Sequence, residues 1–139
     1  MLSLKKNAKG VIIICTLTTT QKETATEFLE KIKPYLCTNM CYFKPSTKNK
    51  IFDRKYGLKH NEKVELIKSL TADDCIKIEP NNNPRYEDAE VFVFLKNDIE
   101  ITIFGEPNSV SIYIKIYYLS TSQCDKIICI SFHESGMHE

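Results

Sequence analysis

The chain is poor in the residues that break up structure, with four glycines and five prolines in 139 residues, and it shows no internal repeat. That scarcity excludes collagen-like and low-complexity chains, and 42% hydrophobic content excludes a wholly disordered one. No apolar run approaches the roughly 18–20 residues that a membrane-spanning helix requires. The six cysteines, at 15, 37, 41, 75, 124 and 129, include no C-x-x-C pair. They are too sparse for a disulfide scaffold, and the Cys37–Cys41 and Cys124–Cys129 spacings suit zinc poorly. Cys15, Cys75 and Cys129 lie in apolar stretches, where a buried free thiol is expected. Gly-rich phosphate loops, nucleophile elbows and paired catalytic carboxylates are all missing.

What remains is a chain of the length that builds one core, since single domains commonly run to about 100–150 residues. We expect a single domain over 1–139, with residues 1–9 as a lead-in outside the fold. Lys5, Lys6 and Lys9 precede the apolar run Val11–Cys15. That run is short for a secretion signal, and no small-x-small cleavage site follows it. It reads as part of a strand, Val11–Leu17, added to a sheet edge. The protein is expected to be reduced, cytoplasmic and away from membranes.

A net charge of +1 hides a segregation along the chain. Residues 1–68 hold 14 Lys/Arg and 6 Asp/Glu, a net of +8, while residues 69–139 hold 5 and 12, a net of −7. A basic half fits an anionic partner such as nucleic acid or an acidic protein; equally, the two halves can neutralise each other across the fold.

Helical signals come first. Thr19 or Thr20 can cap a helix in which Ala25, Phe28, Leu29 and Ile32 keep helical spacing, and Pro34 should end it. Residues 38–56 mix Lys and Arg with aromatics and read as loop and short elements. Gly57 and Asn61 lead into a second helix that buries Val64, Ile67 and Leu70, and Thr71 caps a further acidic turn. From Asn81 onward the pattern is strands and turns. Val91–Leu95, Glu100–Phe104, Val110–Leu119 and Lys126–His133 are the candidate strands, with turns at Asn97-Asp98, Gly105–Ser109 and Ser120–Asp125. Connections this short imply antiparallel pairing. The fold expected is therefore α+β, with N-terminal helices packed on one face of an antiparallel sheet.

Alternation is sharpest in Val110–Tyr118, which sets Val110, Ile112, Ile114, Ile116 and Tyr118 against Ser111, Tyr113, Lys115 and Tyr117. In the last strand Ile128, Ile130 and Phe132 share one face, and Cys129, Ser131 and His133 the other. Pairing the two strands gathers Tyr113, Lys115, Ser131 and His133 on one outer surface. A lysine can stabilise developing oxyanion charge and an imidazole can move protons near neutral pH, a set suited to phosphate chemistry. The same residues also fit a solvated sheet face with ordinary cross-strand pairs. His133-Glu134 and His138-Glu139 lack metalloprotease spacing and read as a frayed tail.

The stretch from Lys48 to His133 resembles the MqsR-type toxins of bacterial type II toxin–antitoxin systems, which have a RelE-like fold. Lys48-Asn49 is similar to the family's K-N step before the central helix. Gly57-Leu58 and Leu70-Thr71-x-x-Asp74 resemble its next segment, and Val91-Phe92-Val93-Phe94 its V-x-V-F strand. Tyr113-Ile114-Lys115-Ile116 and Cys129-Ile130-Ser131-Phe132-His133 look like its last two strands, Y-I-K-L/I and C-I-S-F-H. The chain departs from the pattern at Ser46, Cys75 and Glu79-Pro80, and Ile99–Ser109 is an insertion that lengthens the hairpin.

The resemblance implies an mRNA interferase that cleaves single-stranded RNA without metal or cofactor and is neutralised by a cognate antitoxin protein. In such enzymes a base activates the ribose 2′-OH against the adjacent phosphate, leaving a 2′,3′-cyclic phosphate and a 5′-OH. Tyr113 matches a tyrosine implicated in the family's site, His133 a position held by His or Lys, and Lys77 a lysine proposed to act on the phosphate. Lys115 joins them because it shares a strand face with Tyr113. Lys48, Lys50, Arg54 and Lys55 are the expected RNA-binding residues, and Tyr42, Phe43 or Tyr117 could stack bases. The reading from a different class is a catalytically degenerate RelE-like module that holds RNA or protein.

Overall fold

The N-terminal strand reading meets a partner other than the one expected. In the computed structural model, which describes residues 4–6, 12–14, 17–37 and 39–136, β1 (Leu4–Lys6) and β2 (Ile12–Ile14) pair antiparallel. They form a two-stranded sheet separate from the main one. A strand therefore falls within Val11–Leu17, but it joins part of the expected lead-in and not the main sheet's edge. A partner so close in sequence closes a smaller loop at lower entropic cost. Val11 and Cys15 lie outside the described residues.

A capping box one residue earlier than expected starts α1 (Thr19–Ile32). Thr18 Oγ1 accepts from the Gln21 N–H at 3.1 Å, and Gln21 Oε1 accepts from the Thr18 N–H at 2.9 Å. Ala25, Phe28, Leu29 and Ile32 form its buried stripe. Pro34, with no N–H to give, turns the chain into a single 3₁₀ turn over Lys33–Tyr35.

Residues 38–56 are more regular than the expected loop. They contain β3 (Cys41–Phe43) and α2 (Thr47–Tyr56). Ser46 caps α2 by accepting from the Asn49 N–H at 3.2 Å. Gly57 ends it at φ +64°, a left-handed conformation that glycine adopts without strain. α2 buries only Asn49 and Phe52, so the apolar periodicity that betrays most helices is almost absent. Next comes α3 (His60–Lys68), burying Val64 and Ile67. A 3₁₀ turn at Ala72–Asp74, with the Asp74 carboxylate accepting from the Thr71 N–H at 2.9 Å, leads into β4 (Cys75–Glu79). β4 was not among the expected strands.

The rest of the chain is β5 (Val91–Ile103), β6 (Glu106–Ser120) and β7 (Asp125–Glu134). The turn expected at Asn97-Asp98 is a bulge: these two residues face Ser111 alone, with Asp98 at φ +57°, and the strand runs on. Reversal comes at Phe104-Gly105, where both φ values are positive, as a type I′ hairpin turn requires. Glu106–Ser109 is consequently strand where a turn was expected.

The sheet order is β3-β7-β6-β5-β4. Neighbours from β4 to β7 are antiparallel, and β3 adds a parallel edge against β7, with Tyr42 opposite Ile128. The architecture is α+β, with all three helices contributing to one core on a single sheet face. There Phe28 stacks on Phe92 at 3.9 Å, and Phe132 meets Phe43 and Phe52 edge-on, each at 5.7 Å. The opposite face carries a smaller cluster of Val91, Val93, Tyr113 and Tyr117, covered in part by Tyr86. No helix among the described residues is long and apolar enough to cross a membrane.

Candidate active site

The site begins with one extra residue in β7. Lys115 faces Ser131, but the next pair is Ile116 with Cys129, which leaves Ile130 as a bulge. An inserted residue reverses the in–out parity of a strand. Before the bulge Ile127 and Cys129 belong to the helix-side core and Ile128 to the outer cluster; beyond it Phe132 belongs to the core. The single alternation expected for this strand is thus corrected, because Cys129 is fully buried in the core. Ser131 and His133 do share the outer face with Tyr113 and Lys115.

On that face two cross-strand pairs adjoin, Tyr113 with His133 and Lys115 with Ser131. The rings of Tyr113 and His133 stack with centroids 5.4 Å apart and planes at 27°. Lys115 Nζ lies 5.8 Å from the Tyr113 ring centre. Across from them, beyond the end of β3, stands the N-terminal turn of α2. Between the two sides lies a cleft of about 320 Å³, lined by Lys44, Ser46, Thr47, Lys48, Tyr113, Lys115, Ile130, Ser131 and His133.

No carboxylate lines this cleft, whereas three lysines do. The first-turn N–H groups of Thr47 and Lys48 have no acceptor inside the helix, so the positive end of α2 adds to the same field. Such an arrangement selects an anion, and phosphate is the common one. His133 is 2% exposed, and its Nδ1 sits 3.0 Å from the Glu134 carbonyl oxygen. A carbonyl only accepts, so Nδ1 carries a proton, and in the imidazole form of the ring the lone pair is on Nε2. That is the tautomer of a general base.

Lys115 is held from behind. Its Nζ is 3.0 Å from Glu79, which also reaches Lys77 at 3.1 Å. Burial works to lower the Lys115 pKa, but the hydrogen bond to Glu79 and the neighbouring Tyr113 outweigh it, and the net shift is upward. Glu79 feels burial in the opposite direction and is nevertheless held below its ordinary value by the two lysines. Lys115 is therefore a fixed positive charge and not a proton carrier.

Lys77 does not join the cleft. It faces Val93 at the far side of β5, is half exposed, and touches the site only through Glu79. Its strand was hidden by a bulge at Ile76, so its position could not be read from spacing. Of the expected RNA-binding residues, Lys48 lines the cleft, while Lys50 and Arg54 are exposed on α2 outside it. Lys55 pairs with Glu134 at 3.1 Å, beside the Tyr56 hydroxyl that donates to the same oxygen at 2.8 Å. Among the aromatics, Tyr42 is 53% exposed and open to stacking. Phe43 packs against His60 and Phe132, and Tyr117 packs against Tyr86, so both are structural.

Sequence reading missed Lys44, Thr47 and the contributions of Ser46 and Glu79. The one available signal was Ser46, a helix cap placed eleven residues before a glycine stop. Burial pushes the Cys41 thiol up to about 12 and Cys129 well above its ordinary value, which leaves neither as a thiolate nucleophile near neutrality. Among the described residues no three His, Cys, Asp or Glu side chains cluster as metal ligands; His138 and Glu139 lie outside them. A larger groove of about 580 Å³, between α1 and residues 84–90, mixes Lys31 and Arg85 with Glu27, Glu87, Asp88 and Glu90. It brings together no base and cation comparable to His133 and Lys115.

Compared with known proteins, the chain matches no family profile, no curated protein and no solved structure.

Proposed function

We propose that this protein is a toxin endoribonuclease of the cytoplasm that cuts single-stranded mRNA without metal and is held in check by a cognate antitoxin. The observation that carries the enzymatic reading is the cleft in which a buried His133, with Nε2 as its basic nitrogen, shares space with three lysines and a helix N-terminus. The toxin setting rests on the sequence resemblance to the MqsR type.

The chemistry follows from the groups present. His133 Nε2 takes the proton of a ribose 2′-OH, and the 2′-oxygen forms a bond to the adjacent phosphorus. The bond from phosphorus to the 5′-oxygen breaks, and that oxygen leaves with a proton supplied by the Tyr113 phenol or by water. Lys115 and Lys48 offset the charge that builds on the phosphate oxygens. The products are a 2′,3′-cyclic phosphate and a 5′-OH. The protein offers no carboxylate in this lining to anchor a divalent cation, and the lysines carry the positive charge there.

Cleavage of a long single-stranded RNA by purified protein in EDTA, beside His133→Ala, tests the reading. Cutting that survives chelation and is lost in the folded variant supports it. A folded protein that binds RNA and never cuts it favours a degenerate binding module. That second reading draws on Lys77, which lies outside the cleft with its charge shared with Glu79.

A further inference from the structure

We infer that Asn49 is the positioning residue of this cleft, an inference that rests on the cleft being the site of RNA cleavage. Asn49 is the third residue of α2 and is 5% exposed. Its Nδ2 donates to the Lys44 carbonyl at 2.7 Å and to the Ile130 carbonyl at 3.0 Å. Its Oδ1 accepts from the Phe132 N–H at 2.9 Å. The carboxamide thus spans the β7 bulge and satisfies the backbone groups on either side of Ser131.

The pattern is that of a parallel ladder. In such a ladder one residue gives its N–H to the carbonyl before its opposite number and takes the N–H after it. β3 supplies this partner along β7 as far as Cys129, where the Lys44 N–H donates to the Cys129 carbonyl at 2.9 Å. There the main chain leaves the edge. The Asn49 side chain then takes the place of the next peptide, opposite Ser131.

Two consequences bear on the cleft. The bulge that turns Ser131 and His133 outward is fixed by a buried amide, which pairs the Ile130 carbonyl and the Phe132 N–H. The same amide joins the two walls, because α2 and its cap carry Thr47, Lys48 and Ser46 while β7 carries Ser131 and His133. The distance from the helix N-terminus to the imidazole is therefore set by Asn49. It has no place in the lining itself. Misplacement by about 1 Å at a reacting centre can cost on the order of 100-fold in rate.

Asn49→Asp separates positioning from bulk. Asp keeps the acceptor for Phe132 and loses the donor to Lys44 and Ile130; Asn49→Ala loses both. In the full chain, with folding checked by circular dichroism, we expect kcat on single-stranded RNA to fall about tenfold or more in Asn49→Asp, with KM changed less than threefold. The His133 imidazole resonances in NMR spectra should move in both variants. Unchanged kcat and unchanged His133 resonances in a folded variant would overturn the inference. A parent protein that cuts no RNA overturns the enzymatic reading alone, since the imidazole resonances still report whether Asn49 sets the cleft. Should both variants unfold, the parent chain still decides. Scalar couplings across the Asn49–Ile130 and Phe132–Asn49 hydrogen bonds must be present, and their absence overturns the inference.

Discussion

Tyr113 and His133 face each other on adjacent strands with their rings stacked, 5.4 Å between centroids and 27° between planes. Each ring limits the other's rotation, and the Glu134 carbonyl fixes the imidazole tautomer. Tyr113→Phe keeps the stacked ring and removes only the hydroxyl. Cleavage by this variant should fall by about 100-fold, the loss typical of a missing proton-transfer group. Steady-state rates on a defined RNA check this, and an unchanged rate would remove the phenol from the mechanism.

Lys48 and Lys115 line the cleft, whereas Lys77 does not. Each phosphate contact on a single strand contributes about 0.7 to the slope of log affinity against log salt. Lys48→Met should lower that slope by roughly this amount, and Lys77→Met should leave it nearly unchanged. Fluorescence anisotropy across a salt series distinguishes them.

Glu134 is held below its ordinary value of 4.5, first by the Tyr56 hydroxyl and then by Lys55, against the effect of burial. A depressed carboxylate contributes stability that is present above the unfolded value and lost as pH falls through the folded one. Glu79 acts in the same direction through Lys115 and Lys77. Stability against thermal unfolding should therefore decline below about pH 4.5, and Glu134→Gln should flatten that decline. An equal acid slope in parent and variant would contradict the assignment.

Phe132 is 1% exposed and bridges α2 to the sheet through its edge contacts with Phe43 and Phe52. Phe132→Ala should cost about 3–5 kcal/mol, as large-to-small changes of buried aromatics do. Urea denaturation measures it. A loss under about 1 kcal/mol would mean that this contact is not closely packed.

The sequence made legible whatever apolar periodicity controls. α1, α3, the last two strands, the two halves of β5 and the outward set Tyr113, Lys115, Ser131 and His133 all follow from alternation or helical spacing. Bulges were not legible, because an extra residue at Ile130, Asn97-Asp98 or Ile76 leaves no mark in composition. One such bulge moved Cys129 into the core, and another helped conceal β4 with Lys77. α2 was missed for a different reason. Its inward residues include a polar Asn49, whose burial is satisfied by three hydrogen bonds that only the folded chain provides.

The most direct measurement is the chemistry of the cut ends, on an RNA and on the same strand carrying 2′-deoxyribose at the cleavage position. The RNA should give 2′,3′-cyclic phosphate and 5′-OH ends, and no cutting should occur at the substituted position. A 5′-phosphate end, or cutting that persists without the 2′-OH, would contradict the mechanism.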